Sequence, residues 1–141
     1  ENFTMLAMNL YNKIYPNKEI PALETKFTDC RNDPNVNNAA ALGIVTGYED
    51  GTFRPYKTIS RQEAAVMLDR LYQALGGKTD AVSEKAFADD AKIGNWARGS
   101  VYAMRQTGIM QGKENNQFCP TDGYTAEQSI VTIERMYQII K

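Results

Sequence analysis

The sequence predicts an all-α, mainly helical fold built from tandem helix–loop–helix repeats. Three observations predict it. First, the stretch from Gly43, "GIVTGYEDGTFRPYKTISRQEAAVMLDRLYQAL", aligns without a gap on "GIMQGKENNQFCPTDGYTAEQSIVTIERMYQII" from Gly108, a constant spacing of 65 residues. Such self-similarity marks stacked units that bury their apolar faces against one another. Second, each copy carries a capping box, Ser60 with Glu63 and Thr125 with Gln128. There a hydroxyl and a carboxylate or amide three residues on satisfy each other's backbone N–H. Third, the apolar residues after each cap fall at helical spacing: Ala64, Met67, Leu68, Leu71 and Leu75, then Ile130, Ile133, Met136 and Ile140.

The elements follow in order. "ENFTMLAMNLYNKI" matches the helix after Ser60, with Leu10 and Tyr11 on Leu71 and Tyr72. It reads as the closing helix of an earlier repeat, and because it opens mid-helix an upstream part is expected. Shorter helices are expected over 35–42 and 95–107, each stopped by a glycine, Gly43 or Gly108, suited to the left-handed position after a helix. Glu49–Gly51 is a tight turn between Tyr48 and Phe53, consistent with a short two-stranded ribbon. Leu75 to Ala86 is a polar linker. "FTD" at Phe27–Asp29 returns as "FAD" at Phe87–Asp89, 60 residues on. The predicted units are therefore 1–26, the helix and linker of a truncated repeat; 27–86, a complete repeat; and 87–141, a worn one. Helices this short do not stand alone in water. The three long ones are expected to form a central bundle, with the shorter helices and loops outside.

Composition narrows the function. The chain has 141 residues, 16 Lys and Arg against 17 Asp and Glu, and no histidine. A net charge of −1 does not suit a general nucleic-acid binder. No run of about 18 apolar residues is present, so no membrane-spanning segment is expected. Cys30 and Cys119 fit no zinc spacing. They are two unpaired thiols or, in an oxidising compartment, one disulfide, and geometry decides between these. Without histidine a general base would have to be a carboxylate. Asp89–Asp90 and Glu49–Asp50 sit in loops where solvated acids are ordinary. No catalytic residue, metal site or cofactor is therefore expected.

The run "FTD…ALGIVTGYEDGTFRPYKTISRQEAAVML" resembles the S-layer homology (SLH) domain. The family pattern is F-x-D, a Trp-Ala helix, G-I-x-x-G, G-x-x-D-G-T-F-x-P, and T-R-A-E opening a helix. Residues 27–75 match nearly throughout. Residues 87–141 match more loosely but supply the Trp-Ala as Trp96–Ala97. The resemblance implies a pseudo-threefold arrangement of three repeats. It also implies a non-catalytic, extracellular cell-wall anchor within a larger surface protein. The partner would be a secondary cell-wall polysaccharide, often ending in a pyruvylated amino sugar, held in grooves between repeats. The T-R-A-E arginine is the family's key binding residue, which falls here on Arg61.

The chemistry is coherent. A pyruvyl ketal carries a carboxylate, and a guanidinium offers a planar fork for it. The helix N-terminus behind Arg61 is expected to add free N–H groups. Backbone N–H groups around Gly43 or Gly108 are expected to take sugar oxygens, and Trp96 or Tyr48 to pack on a sugar face. The expected glycan-binding set is thus Ser60, Arg61, Gly43, Tyr48, Trp96 and Gly108. Phe27, Phe53, Phe87 and Phe118 are expected in the core, Trp96 divides between core and groove, and Asp29 and Asp89 are expected to cap loops. The second copy departs at Ala126 for Arg61, Asn116 for Gly51 and Cys119 for Arg54. At most one good groove is therefore expected, where the 27–86 and 87–141 repeats meet. The competing reading is a degenerate module for protein contact or spacing, without glycan binding. The exposed core of the truncated repeat adds an expectation of self-association.

Overall fold

The structure is a computed structural model that describes residues 2–19, 34–45, 58–78 and 85–140. Its helices are α1 (Asn2–Ile14), α2 (Pro34–Ala41), α3 (Arg61–Ala74), α4 (Asn95–Thr107) and α5 (Ala126–Ile140), with 3₁₀ turns at Asp90–Lys92 and Glu114–Asn116. Among the described residues there is no β-strand beyond two isolated bridges, Ser60 with Gly123 and Lys113 with Gln117. The predicted helical class holds. The second bridge is the worn copy's version of the predicted ribbon; the ribbon expected at Tyr48–Phe53 lies outside the described residues.

Local chemistry sets the ends. Ser60 Oγ accepts from Glu63 N–H at 3.2 Å, and Glu63 Oε1 accepts from Ser60 N–H at 3.1 Å. Thr125 and Gln128 make the same reciprocal pair at 3.1 and 3.0 Å. At the far end of α4, Gly108 adopts φ +81°, and its N–H reaches Arg105 O at 3.0 Å. A residue with a β-carbon is disfavoured in that left-handed conformation.

α1 packs on α2, the front helix of the next repeat, and equally on α5, and α3 packs on α4. Of the predicted central bundle of long helices, the α1–α5 pairing is present. Gln62 meets Gly94 at the start of α4, and Asp69 meets Ser100 further along, so α3 and α4 run in the same sense. The core runs through all five helices, from Met8 and Tyr11 through Leu68 and Leu71 to Met104, Phe118 and Met136. Phe87 and Phe118 are buried as expected; Phe27 and Phe53 lie outside the described residues. Tyr124 is buried against Phe3, its hydroxyl paired with Thr132, and burial pushes its phenol up to about 12.

One residue of the apolar stripe departs from expectation. Helical spacing puts Ile130 on the buried face of α5, yet it is 58% exposed, whereas Ile133 and Met136 are buried. Among the described residues, no neighbouring helix covers that side of α5 as α4 covers the same side of α3.

Gly112 is held by close approach. A β-carbon there would lie 2.6 Å from the Phe87 ring and 3.0 Å from Gln117 O. Gly112→Ala should therefore force the Phe87 ring or the 113–117 turn aside, an overpacking cost of about 1–3 kcal/mol. Thermal melts would show it as a lowered Tm, and an unchanged Tm would mean the loop shifts freely.

Candidate functional site

The first turn of α3 meets the loop of the following repeat. Arg61 N–H reaches Asp122 O at 2.9 Å, Gln62 N–H reaches Pro120 O at 3.0 Å, and Tyr124 N–H returns to Ile59 O at 2.8 Å. The chain from Pro120 to Tyr124 is thereby laid across the helix start. This corrects the expectation of free N–H groups there. The helix N-terminus attracts carbonyl oxygens as readily as anions, and the neighbouring repeat has supplied them.

The Arg61 side chain follows the same route. Nε donates to Phe118 O at 2.9 Å and one terminal nitrogen, Nη2, to Gln111 O at 2.7 Å. The guanidinium lies 4.8 Å from the Phe118 ring centroid. Arg61 is only 6% exposed. Burial pulls its guanidinium below the usual value, opposed by neighbouring groups such as Cys119 and Asp122. Among the described residues Nη1 makes no hydrogen bond, so Nε and Nη2 carry the contacts of the fork.

Asp89 holds the loop from the other side. Its Oδ1 accepts from Phe118 N–H at 2.9 Å and its Oδ2 from Cys119 N–H at 2.8 Å. The adjacent Ala88 N–H reaches Asn116 O at 2.7 Å. The predicted loop-capping role of Asp89 holds; Asp29 lies outside the described residues. The loop needs this support because Asn115, Asn116 and Cys119 all have positive φ. Asparagine tolerates that region, cysteine much less. Cys119 is a free thiol; Cys30 lies outside the described residues.

Trp96 settles on the surface. It is 62% exposed, and its indole stands over Gly94, where an added β-carbon would lie 2.4 Å from Nε1. Gly94 N–H donates to Gln62 Oε1 at 2.9 Å. The residue after Arg61 thus ties the Trp96 turn to the start of α3. Behind Trp96, Arg98 donates from Nε to Asp90 Oδ1 at 3.2 Å and from Nη2 to the carbonyls of Asp90 and Ile93. Tyr102 also donates to Asp90 Oδ1, and that hydrogen bond, with Arg98, holds the Asp90 carboxyl below its usual range.

The structure therefore brings together Ser60, Arg61, Trp96 and the loop that begins at Gly108. It does not bring in Gly43, whose N–H and that of Ile44 cap α2 through Ala40 O and Ala39 O. The Gly108 N–H is likewise used, on Arg105 O. The expectation that these N–H groups take sugar oxygens is corrected: closing a helix end consumes them. Tyr48 lies outside the described residues. Gln62, Gln111 and Phe118 belong to the site and are absent from the set expected from sequence. Gln62 sits within "SRQE", but its partner is 32 residues away, and no periodicity reports such a pairing. Among the described residues, no cluster of three or more His, Cys, Asp or Glu side chains forms a metal site. No helix there is long and apolar enough to cross a membrane.

Comparison with known proteins points one way. The family model for the S-layer homology domain matches residues 26–65 and 86–123. An endoglucanase of Bacillus sp. (strain KSM-635) is 30% identical over 108 residues, 77% of this chain and 11% of that enzyme. A cellulosome-anchoring protein of Acetivibrio thermocellus is 29% identical over 89 residues, 63% of this chain and 20% of that protein. An S-layer protein of Bacillus thuringiensis subsp. finitimus is 32% identical over 81 residues, 57% of this chain and 9% of that protein. The chain spans a small part of each.

Proposed function

Because this chain belongs to the S-layer homology domain family, a family of cell-surface anchoring modules, we propose that it holds a secondary cell-wall polysaccharide in the groove between its 27–86 and 87–141 repeats. It would thereby fasten a larger surface protein to the bacterial wall. The observation that carries this is the Arg61 fork. Two carbonyls and an aromatic face fix the guanidinium, so little side-chain entropy is lost when an acceptor arrives. A carboxylate, as on a pyruvylated sugar, fits the remaining end of the fork. Trp96 supplies an exposed ring on which a sugar face packs. Ser60 holds the α3 start in register, and Gly108 ends α4 ahead of the loop whose carbonyls seat Arg61. The module itself is non-catalytic. Relatives named as enzymes share only a small part of their length with it, 11% for the endoglucanase.

The test is co-sedimentation with Gram-positive cell walls, before and after the secondary polymer is stripped. The wild type is expected to pellet with intact walls and not with stripped ones. Trp96→Ala should weaken binding about tenfold, some 1.4 kcal/mol. The exposed position leaves folding within about 0.5 kcal/mol, so loss of binding would not reflect unfolding. Equal binding to stripped and intact walls would remove the polysaccharide from the reading.

A second reading has its own observation. Ala126 stands where the second repeat would carry its arginine, and the N–H groups of Arg61 and Gln62 are consumed inside the chain. A module without glycan affinity, serving as a spacer or protein contact, would show no retention on intact walls at all.

A further inference from the structure

Neither backbone conformation nor packing requires a glycine at position 99. Gly99 lies inside α4, where glycine is among the least favourable residues. Its φ is not positive, so it makes no use of glycine's left-handed freedom. A β-carbon added there would meet no described residue within 4 Å, and the position is exposed. Gly94 and Gly112, by contrast, each stand against an aromatic ring. What lies beside Gly99 is Trp96, one turn back on the same side of the helix. Helical side chains lean toward the N-terminus of their helix and cover the preceding turn. A side chain at position 99 would therefore lie along the indole of Trp96, the only tryptophan in the chain. The residues on either side of Gly99 are drawn elsewhere. Arg98 Nη2 reaches back to Asp90 O at 3.0 Å and Ile93 O at 2.9 Å, and Ser100 Oγ donates to Asp69 Oδ2 of α3 at 2.8 Å.

From this we infer that Gly99 is a specificity-determining residue: it keeps open, beside the Trp96 ring, the space that one sugar ring of the wall polymer takes. The inference rests on the glycan reading and deepens it. One helical turn, about 5.4 Å, gives room for a single pyranose. Its C–H face would pack on the indole and its edge would lie over the bare backbone at Gly99. The indole is already in place for this. It stands over Gly94, whose N–H is tied to Gln62 Oε1 at 2.9 Å, and Gln62 follows Arg61 at the start of α3. That strut puts ring and guanidinium on one frame. A substituent on the sugar that meets Trp96 would strike a side chain at position 99, whereas glycine admits it. The helix is less stable at this point than an alanine would make it, and access to the ring is what the glycine provides.

Two substitutions separate clearance from structure. Gly99→Ala adds one methyl group and should raise Tm by about 3 °C, because it removes a glycine from a helix interior. Gly99→Gln should raise Tm as well, but lower co-sedimentation with intact Gram-positive walls about tenfold, the scale of one lost stacking contact. In a Trp96→Ala background Gly99→Gln should change wall binding no further. Trp96 fluorescence reads position 99 without any ligand: acrylamide should quench the Gly99→Gln protein less than the wild type. A higher Tm together with weaker wall binding is a result that a merely structural glycine does not give. A lower Tm for Gly99→Ala would overturn the inference, by showing that the fold needs the glycine. Unchanged quenching in Gly99→Gln would overturn it too, since a side chain there would then not reach the ring. Equal retention of wild type and Gly99→Gln on intact walls refutes this inference alone. A wild type that does not pellet with intact walls refutes the glycan reading, and this inference with it.

Discussion

Replacing Arg61 with alanine is expected to lower the unfolding free energy by about 3 kcal/mol and to abolish retention on intact cell walls. The first effect follows from what the side chain touches. The guanidinium bonds the carbonyls of Phe118 and Gln111 and lies on the Phe118 ring. Alanine leaves the buried Phe118 carbonyl without its donor, at about 1–3 kcal/mol, and removes a partly buried cation–π contact of about 1 kcal/mol. For a chain of this length that lowers Tm by roughly 10 °C. The second effect follows from the loss of the fork's open end. Arg61→Lys separates the two. A lysine keeps the charge and reaches one carbonyl, so stability should recover in part, while the planar fork for a carboxylate is lost. Calorimetry and wall co-sedimentation on the pair check this. A Tm for Arg61→Ala within a degree or two of wild type would refute the inter-repeat staple. Wall binding by a folded Arg61→Lys at wild-type strength would refute the fork.

Asp89→Ala should be as damaging to the fold, by about 3–5 kcal/mol. Its two oxygens accept from the N–H groups of Phe118 and Cys119, and hydrogen bonds to a charged acceptor are worth about 1.5–3 kcal/mol each. Removing both partners also frees a loop in which Cys119 sits at φ 58°. That loop carries the carbonyls that seat Arg61, so wall binding should fall with stability. Asp89→Asn keeps one acceptor oxygen and should cost about half as much. Urea titration of the three proteins orders them; equal midpoints would mean that water replaces the carboxylate.

Much of this molecule is legible in its sequence because the determinants are local. A capping box needs residues three apart, and both predicted boxes form. A glycine after a helix reports its own backbone, and Gly43 and Gly108 both adopt the left-handed conformation. The predicted helix over 95–107 is α4 to the residue. The site is legible only as a set of names. Sequence alone makes Arg61 a free fork on a free helix end, but its hydrogen-bond partners lie 50 and 57 residues away. Sequence also leaves Trp96 between core and groove, because its position on α4 does not say what stands in front of it.

The sequence by itself determined the helices, their caps and the repeat, since hydroxyl, glycine and apolar spacing act within one or two turns of the chain. Only the tertiary structure decided which N–H groups stay open, which face of α5 is uncovered, and that Arg61 binds the chain's own carbonyls before any ligand. Those outcomes depend on which repeat lies against which, and polar groups at a helix start take whichever acceptor the packing brings within about 3 Å.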